Sequence, residues 1–164
     1  MSSSSVQVMK PRNLLKEKVG SALPAFDEAA LKRAEAALAS LSSEFQSWME
    51  EEVSKLVAAR DAARTARYDD ESLDRLFGHA HDSKGLGATY EYPIVTRLAG
   101  SLCRLIETPA GKEAARKTPQ LVEAHVEAIR ATVRGKIKAV DHPVARTLLG
   151  ELETQVEQLN VAPT

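Results

Sequence analysis

The chain is poor in cysteine and in aromatic residues. Its 164 residues include one cysteine, Cys103, which excludes a disulfide within the chain and a cysteine cluster for a metal ion. A lone thiol also favours a reducing compartment. Phe, Trp and Tyr make up only 4% of the residues, so Ala, Leu and Val supply the apolar surface. Together with many Glu, Lys and Arg residues, this composition favours helices over strands.

The chain also lacks an excess of either charge and has no long apolar run. The formal net charge is -1, whereas a protein that binds nucleic acid normally carries a clear basic excess. No segment has the apolar core of a signal peptide or the length of a membrane-spanning helix. We therefore expect a cytoplasmic protein that binds neither nucleic acid nor a membrane.

Turn residues and apolar stripes divide the chain into an arm and one helical domain. Serines and prolines such as Pro11 and Pro24 interrupt residues 1–25, so we expect a partly disordered arm there. Within it, Leu14–Val19 has the spacing of a short helix. Residues 26–164 carry apolar stripes at helical spacing and no strand pattern. They predict an all-α fold, an antiparallel four-helix bundle with an additional N-terminal helix or arm.

Five stretches carry a stripe that we expect to face the core. The first follows Asp27, a suitable N-cap, and is either one long helix or two nearly continuous helices with a bend near Ser40. We interpret residues 108–111 as the end of the third helix and residues 141–143 as the break between the last two. The stripes run over Leu31–Leu56, Leu73–Gly87, Ile94–Leu105, Val122–Val140 and Val144–Leu159.

His81 stands out in the second of these helices. At about 100° per residue, Leu76 and Ser83 fall on the core-facing stripe and His81 points away from it. Lys84 and Gly85 follow three and four residues later, on the same helix face as His81. A lysine beside a histidine opposes the binding of a metal cation, but it offers donors and positive charge to a dianionic group.

Small residues flank this histidine. Gly85 costs a helix about 1 kcal/mol relative to alanine, and its missing side chain leaves the imidazole open to the active site of a partner. Gly78, three residues before His81, also leaves the helix surface without a side chain. Phe77, four residues before His81, adds an apolar contact on the same face. Together with Ala88, these residues form the partner-binding surface that we predict around His81.

The imidazole suits phosphoryl transfer. Its neutral form is abundant near physiological pH, and it is a competent covalent nucleophile. The chain contains no Gly-rich nucleotide loop and no GxxxxGK(S/T) element. We therefore expect the phosphoryl group to come from another protein, and we expect the chain to be a phosphotransfer intermediate without kinase activity of its own.

The run Ala80-His81-Asp82-Ser83-Lys84-Gly85 resembles the Ala-His-x-x-Lys-Gly motif of histidine phosphotransfer (HPt) domains, and residues 98–107 resemble the Leu-Glu-like end of that family's next helix. HPt domains are four-helix bundles that shuttle phosphoryl groups between receiver-domain aspartates of response regulators and hybrid histidine kinases. The resemblance covers about 35 residues locally. Ser83 departs from the family pattern, which usually has an apolar residue there.

The resemblance implies a two-component phosphorelay protein. His81 would be the phosphoacceptor, Lys84 would stabilise the phosphoryl group, and Gly85 would give a receiver domain access. The partners would be response-regulator receiver domains and a hybrid histidine kinase. We expect a monomer without a cofactor or metal of its own, because any Mg²⁺ would be supplied by the receiver.

The other candidate residues have structural interpretations. We expect His79 and His125 to pack near the core, and His142 to stabilise a turn. Gly100 is interpreted as the site of a close helix crossing. We expect Phe45 and Trp48 in the core and the carboxylates of Glu50–Glu52 in solvent.

A second hypothesis remains beside the relay. The long N-terminal stripe from about residue 27 to residue 65 is also typical of a non-catalytic adaptor or dimerisation protein built as a helical bundle. In that case His81 would be incidental.

Overall fold

A computed structural model describes residues 28–161, and all of the regular secondary structure in this range is helical. The predicted all-α class is therefore confirmed for the described part of the chain. The predicted N-terminal arm, the Leu14–Val19 helix and the Asp27 cap lie outside the described residues. The helices are α1 (Glu28–Thr65), α2 (Asp70–Thr89), α3 (Pro93–Ile106), α4 (Pro109–Lys117), α5 (Pro119–Arg134) and α6 (Pro143–Gln158).

Backbone contacts divide the chain into two units, residues 1–39 and residues 40–164. Of the first unit the structure describes residues 28–39, which are the first turns of α1. The second unit contains the rest of α1 and helices α2–α6. It contains every residue of the candidate site. None of the described helices is both long enough and apolar enough to cross a membrane.

Helix α1 is a single helix over Glu28–Thr65, so the alternative of two separate helices is wrong. Its apolar stripe enters the core only from Met49 onward, through the side chains of Met49, Val53, Leu56 and Ala63. Earlier members of the stripe are exposed, by 41% at Leu31, 66% at Leu38 and 42% at Leu41. Periodicity identifies the apolar face of a helix, but it does not say whether a neighbour covers that face.

Helix α3 is central to the core. Nine of its 14 residues are buried, and it follows α2 through a short turn in which Glu91 has a left-handed backbone, with φ 64°. The close approach of the two helices depends on Gly87. A Cβ atom at that position would lie 2.7 Å from Thr96 Oγ1 and 2.9 Å from Thr96 N, so only glycine fits there without movement of α3.

Ion pairs hold the C-terminal end of α1 against α5. The guanidinium of Arg64 donates two hydrogen bonds to Glu123, of 2.7 and 2.8 Å, and Tyr68 Oη donates a third at 2.9 Å. The pKa of Glu123 is lowered, mainly by Arg64. One turn earlier, the buried Arg60 donates to Glu127 at 3.0 Å. These contacts fix the register of α1 in the second unit.

One helix was not predicted, and one predicted helix boundary is wrong. Helix α3 ends at Ile106, just before residues 108–111, as predicted. Those residues also begin the unpredicted α4, because Thr108 Oγ1 accepts a hydrogen bond from Gly111 N–H and Pro109 occupies the first turn. Helix α5 ends at Arg134, whereas the apolar stripe predicts a helix as far as Val140. Lys136 has φ 51° there, and Ile137 N–H donates to Thr132 O, which closes the helix as a Schellman motif.

Candidate functional site

Helix α2 positions His81 by its rotational phase. The helix begins at a cap in which the Asp69 carboxylate accepts a hydrogen bond from Ser72 N–H at 2.9 Å. His81 is exposed, as predicted from the spacing. The side of the helix facing the core consists of Ser72, Leu73, Leu76, Ala80, Ser83 and Gly87, all of them buried.

The imidazole of His81 stacks on Phe77, one turn earlier in α2. The ring centroids lie 6.2 Å apart, and the ring planes differ by 28°. Phe77 is half-buried and packs against the core cluster, whereas the sequence predicted an exposed apolar contact. It therefore restricts the orientation of the imidazole, in addition to presenting an edge to solvent.

Glycine keeps the other side of His81 bare. A Cβ atom at Gly78 or at Gly85 would meet no atom within 4 Å, so both positions face open space. Beside them lies a hollow of about 350 Å³, which is lined by His81, Asp82, Gly85, Leu86 and Glu52 of α1. Ala88, further along the same face, is exposed. The predicted opening around the imidazole is therefore present.

Lys84 lies on the opposite side of His81, toward α3. Its stem lies over Gly100, where a Cβ atom would be 3.8 Å from Lys84 Cδ and 3.9 Å from Cε. These are ordinary van der Waals distances, so Gly100 is not the site of a close crossing that the sequence predicted. Within residues 28–161 the Lys84 ammonium forms no ion pair and no hydrogen bond, which leaves its three donors available.

Cys103 lies near the Lys84 ammonium but is not available for chemistry. The thiol is buried, and its burial raises its pKa to about 11, although the positive charge of Lys84 acts in the opposite direction. At neutral pH the group is a protonated thiol, which is a poor nucleophile. It is a core side chain of α3.

Ser83, where the chain departs from the family motif, is fully buried behind His81. Its Oγ atom has no hydrogen-bond partner among the described residues, and neither does the buried Oγ1 of Thr96. A buried hydroxyl without a partner destabilises a fold by about 1–3 kcal/mol. The packing behind the histidine therefore carries a cost that an apolar residue at position 83 would avoid.

The sequence did not identify the α1 side of this site. A second hollow of about 290 Å³ adjoins the first and is lined by Trp48, Glu51, Glu52, Leu86 and Tyr90. Trp48 is 43% exposed and Phe45 is half-buried, so the prediction that both are core residues is wrong. The side chain of Glu52 is only 18% exposed, whereas the sequence predicted that it would be solvated. It lies beside His81 because α1 and α2 lie side by side.

The other three histidines are less exposed than His81. Leu121 O accepts a hydrogen bond of 2.7 Å from His125 Nδ1, and Nε2 lies 3.0 Å from Ser101 Oγ. The carbonyl requires a proton on Nδ1, so Nε2 accepts from the serine. Burial lowers the pKa of His125 to about 4. His142 caps α6 through Ala145 N–H, and His79 is half-buried.

The described residues contain no group of three or more His, Cys, Asp or Glu side chains placed to hold a metal ion. Comparison of the chain with protein-family models, with curated proteins and with solved structures found no match.

Proposed function

We propose that this protein is a histidine phosphotransfer protein in which His81 carries a phosphoryl group between receiver-domain aspartates. The observation that carries the proposal is the setting of the imidazole. His81 is exposed and stacked on Phe77. Lys84, whose ammonium is unpaired, follows one helical turn later on one side of His81, and the bare positions Gly78 and Gly85 lie on the other. A side chain in this setting is oriented and accessible, with a cation one turn away.

The transfer step follows from the chemistry of the imidazole. A ring nitrogen that carries a lone pair attacks the phosphorus of an aspartyl phosphate in line with the P–O bond. The N–P bond forms, the P–O bond breaks, and the electron pair of that bond leaves with the aspartate carboxylate. The second ring nitrogen keeps its proton. Transfer to another receiver is the same step in reverse, so the chain needs no nucleotide of its own.

The charges around His81 favour one position for the phosphoryl group. At about 100° per residue, Lys84 lies about 60° to one side of His81 and Asp82 about 100° to the other. Glu52 lies on the Asp82 side. The two carboxylates repel a dianionic group, whereas Lys84 attracts it. The phosphoryl group therefore lies on the α3 side, and the α1 side stays open to the receiver.

In this proposal four of the helices form an antiparallel bundle with an additional N-terminal helix or arm, and α4 is an addition to it. The partners are response-regulator receiver domains and a hybrid histidine kinase in a cytoplasmic phosphorelay. The protein acts as a monomer and as an intermediate, without kinase activity. Any Mg²⁺ needed for the transfer belongs to the receiver.

Phosphoryl transfer from receiver domains tests the proposal. Receiver domains are labelled with radioactive acetyl phosphate, purified, and mixed with wild type, His81→Ala or His79→Ala. His79 is the matched control, because it is a histidine of the same helix. We expect acid-labile, base-stable label on wild type and on His79→Ala, and none on His81→Ala. Equal labelling of wild type and His81→Ala, or no labelling of either by any receiver, would overturn the proposal.

A second candidate function is a non-catalytic adaptor or dimerisation protein. It is favoured by the exposed apolar side chains Leu31, Leu38 and Leu41 of α1, because a helix with an uncovered apolar stripe gains free energy by binding a partner. Light scattering after size-exclusion chromatography tests it. A dimer that Leu38→Glu and Leu41→Glu dissociate would support this function, and a monomer at all concentrations would count against self-association.

A further inference from the structure

The hollow beside His81 and the second hollow adjoin between α1 and α2. They share Glu52 and Leu86 and together extend from His81 to Tyr90. We call this surface the α1–α2 groove and define it by the following residues: Trp48, Glu51, Glu52, His81, Asp82, Gly85, Leu86 and Tyr90. All of these residues belong to the second unit of the chain.

The far end of the groove is an aromatic platform. Tyr90 lies 5.7 Å from Trp48 and 5.1 Å from Phe45 between ring centroids, and Phe45 and Trp48 are 5.9 Å apart. Three rings in mutual contact restrict the rotamers that each can adopt, and Trp48 is 43% exposed. Exposed, pre-organised tryptophan and tyrosine side chains are the residues that most often dominate the affinity of protein interfaces.

The rim of the groove is acidic. Glu51, Glu52 and Asp82 contribute three carboxylates to its two hollows. The neighbouring cation is Lys55, which pairs with Glu52 and lies 3.6 Å from Glu51, so it offsets only part of this charge. Lys84, the cation nearest to His81 along α2, points toward α3 instead. An apolar floor with a negative rim is complementary to an apolar side chain flanked by cations.

We infer that the α1–α2 groove selects the receiver: it binds a surface that presents an apolar side chain between Lys or Arg residues, next to the phosphorylated aspartate. This inference rests on the proposed function. The groove begins at His81, where the phosphoryl group is delivered, so the segment that fills it borders the phosphoaspartate. The apolar side chain occupies the space over Trp48 and Tyr90, and its basic neighbours pair with Glu51 and Asp82. A receiver with an acidic surface there is rejected by like charge.

Two phosphoryl donors distinguish an effect on receiver docking from an effect on the transfer step. Phosphoramidate is a small phosphodonor that labels an accessible imidazole without a protein interface, whereas a labelled receiver must dock. Trp48→Ala removes the platform and Glu51→Lys reverses the charge of the rim, and neither side chain lines the hollow that contains His81. Glu157→Lys makes the same charge change at an exposed position of α6 and is the control. Thermal unfolding followed by circular dichroism verifies that each variant is folded.

The test uses a receiver that has Lys or Arg residues beside its phosphorylated aspartate. We expect the concentration of this receiver that gives half-maximal labelling to rise at least tenfold in Trp48→Ala and in Glu51→Lys. Labelling of both variants by phosphoramidate should equal that of the wild type. Glu157→Lys should match wild type in both assays. The effect of Glu51→Lys should shrink as salt rises, because charge attraction is screened. Trp48 is the only tryptophan in the sequence, so its fluorescence should change on titration with the receiver.

The two hypotheses fail in different ways. If Trp48→Ala and Glu51→Lys accept phosphate from the receiver at the wild-type half-saturating concentration, and Trp48 emission is unchanged by binding, the groove is not the docking site although the relay stands. If neither phosphoramidate nor any receiver labels His81 in the wild type, the relay itself is wrong.

Discussion

The stem of Lys84 lies over the backbone of Gly100. A Cβ atom at Gly100 would sit 3.8 Å from Lys84 Cδ, which is a normal contact. The helix face of α3 thus supports the aliphatic part of the lysine and leaves its ammonium unpaired, with Lys84 one helical turn from His81 along α2. This relationship joins the chemistry of α2 to the packing of α3, and it leads to the first two predictions.

Replacement of Lys84 should slow phosphoryl transfer without unfolding the protein. A hydrogen bond to a charged group is worth about 1.5–3 kcal/mol, so we expect Lys84→Ala to lower the transfer rate at least about tenfold. Lys84→Arg should retain part of the rate, because it keeps the charge. Lys117→Ala, which removes an exposed lysine from α4, is the control. Loss of helicity in Lys84→Ala by circular dichroism would instead indicate a structural role.

Alanine at two glycines of the α2–α3 pair should have opposite effects on stability. Gly100→Ala should raise the free energy of unfolding by about 1 kcal/mol, because alanine has the higher helix propensity and its Cβ would be at ordinary contact distance from Lys84. Gly87→Ala would place its Cβ 2.7 Å from Thr96 Oγ1 and 2.9 Å from Thr96 N, and such overpacking costs about 1–3 kcal/mol. Urea unfolding should therefore show a higher free energy of unfolding for the first variant and a lower one for the second. A gain in stability at Gly87 would contradict the close helix approach described above.

Removal of the Phe77 ring should impair phosphorylation by every donor. The ring stacks on His81 at 6.2 Å, and such a contact contributes about 0.5–1.5 kcal/mol. We expect Phe77→Ala to slow labelling by phosphoramidate and by a receiver by a similar factor, about threefold to tenfold. By contrast, Trp48→Ala and Glu51→Lys should slow labelling by the receiver and leave labelling by phosphoramidate unchanged. Equal rates for Phe77→Ala and wild type with phosphoramidate would show that the ring does not orient the imidazole.

Mild acid should destabilise the fold through His125. Burial lowers its pKa from 6.5 to about 4, assisted by Arg104 and opposed by the Leu121 hydrogen bond and Glu153. The unfolded chain takes up the proton first as the pH falls, so the free energy of unfolding decreases between pH 6.5 and pH 4. The loss reaches about 3 kcal/mol at about 1.4 kcal/mol per pH unit.

A double variant isolates this contribution. His125→Leu combined with Ser101→Ala removes the titrating group and its hydroxyl partner, so neither is left unpaired in the core. Urea unfolding at pH 7 and at pH 4.5 should show a smaller loss of stability for the double variant than for the wild type. Equal losses in the two proteins would mean that His125 does not stay neutral in the folded state.

Much of the local structure could be predicted from the sequence, because it depends on neighbours along the chain. The phase of α2 follows from the spacing of Leu76 and Ser83, and it correctly exposes His81 and buries Ser83. The cap at Asp69 and the start of α3 at Pro93 follow from the preferences of single residues.

The unpredicted helix α4 and the wrong end of α5 have local causes. Thr108 and Pro109 are signals for a helix start as much as for an end, and α4 begins there directly after α3 has ended. The end of α5 depends on Lys136 in a left-handed conformation, which nothing in its residue type favours. The apolar residues beyond it continued the stripe in sequence and concealed the end of the helix.

The sequence by itself determined that the chain folds into amphipathic helices and that His81 shares an exposed face with Lys84 and Gly85, since a helical repeat relates residues within one or two turns. Only the tertiary structure decided what lies across from that face. It placed Glu52 beside the imidazole, brought the ring of Trp48 to 5.7 Å from that of Tyr90, and laid Lys84 against Gly100. Such pairings depend on the register of one helix against another, which the spacing within either helix does not specify.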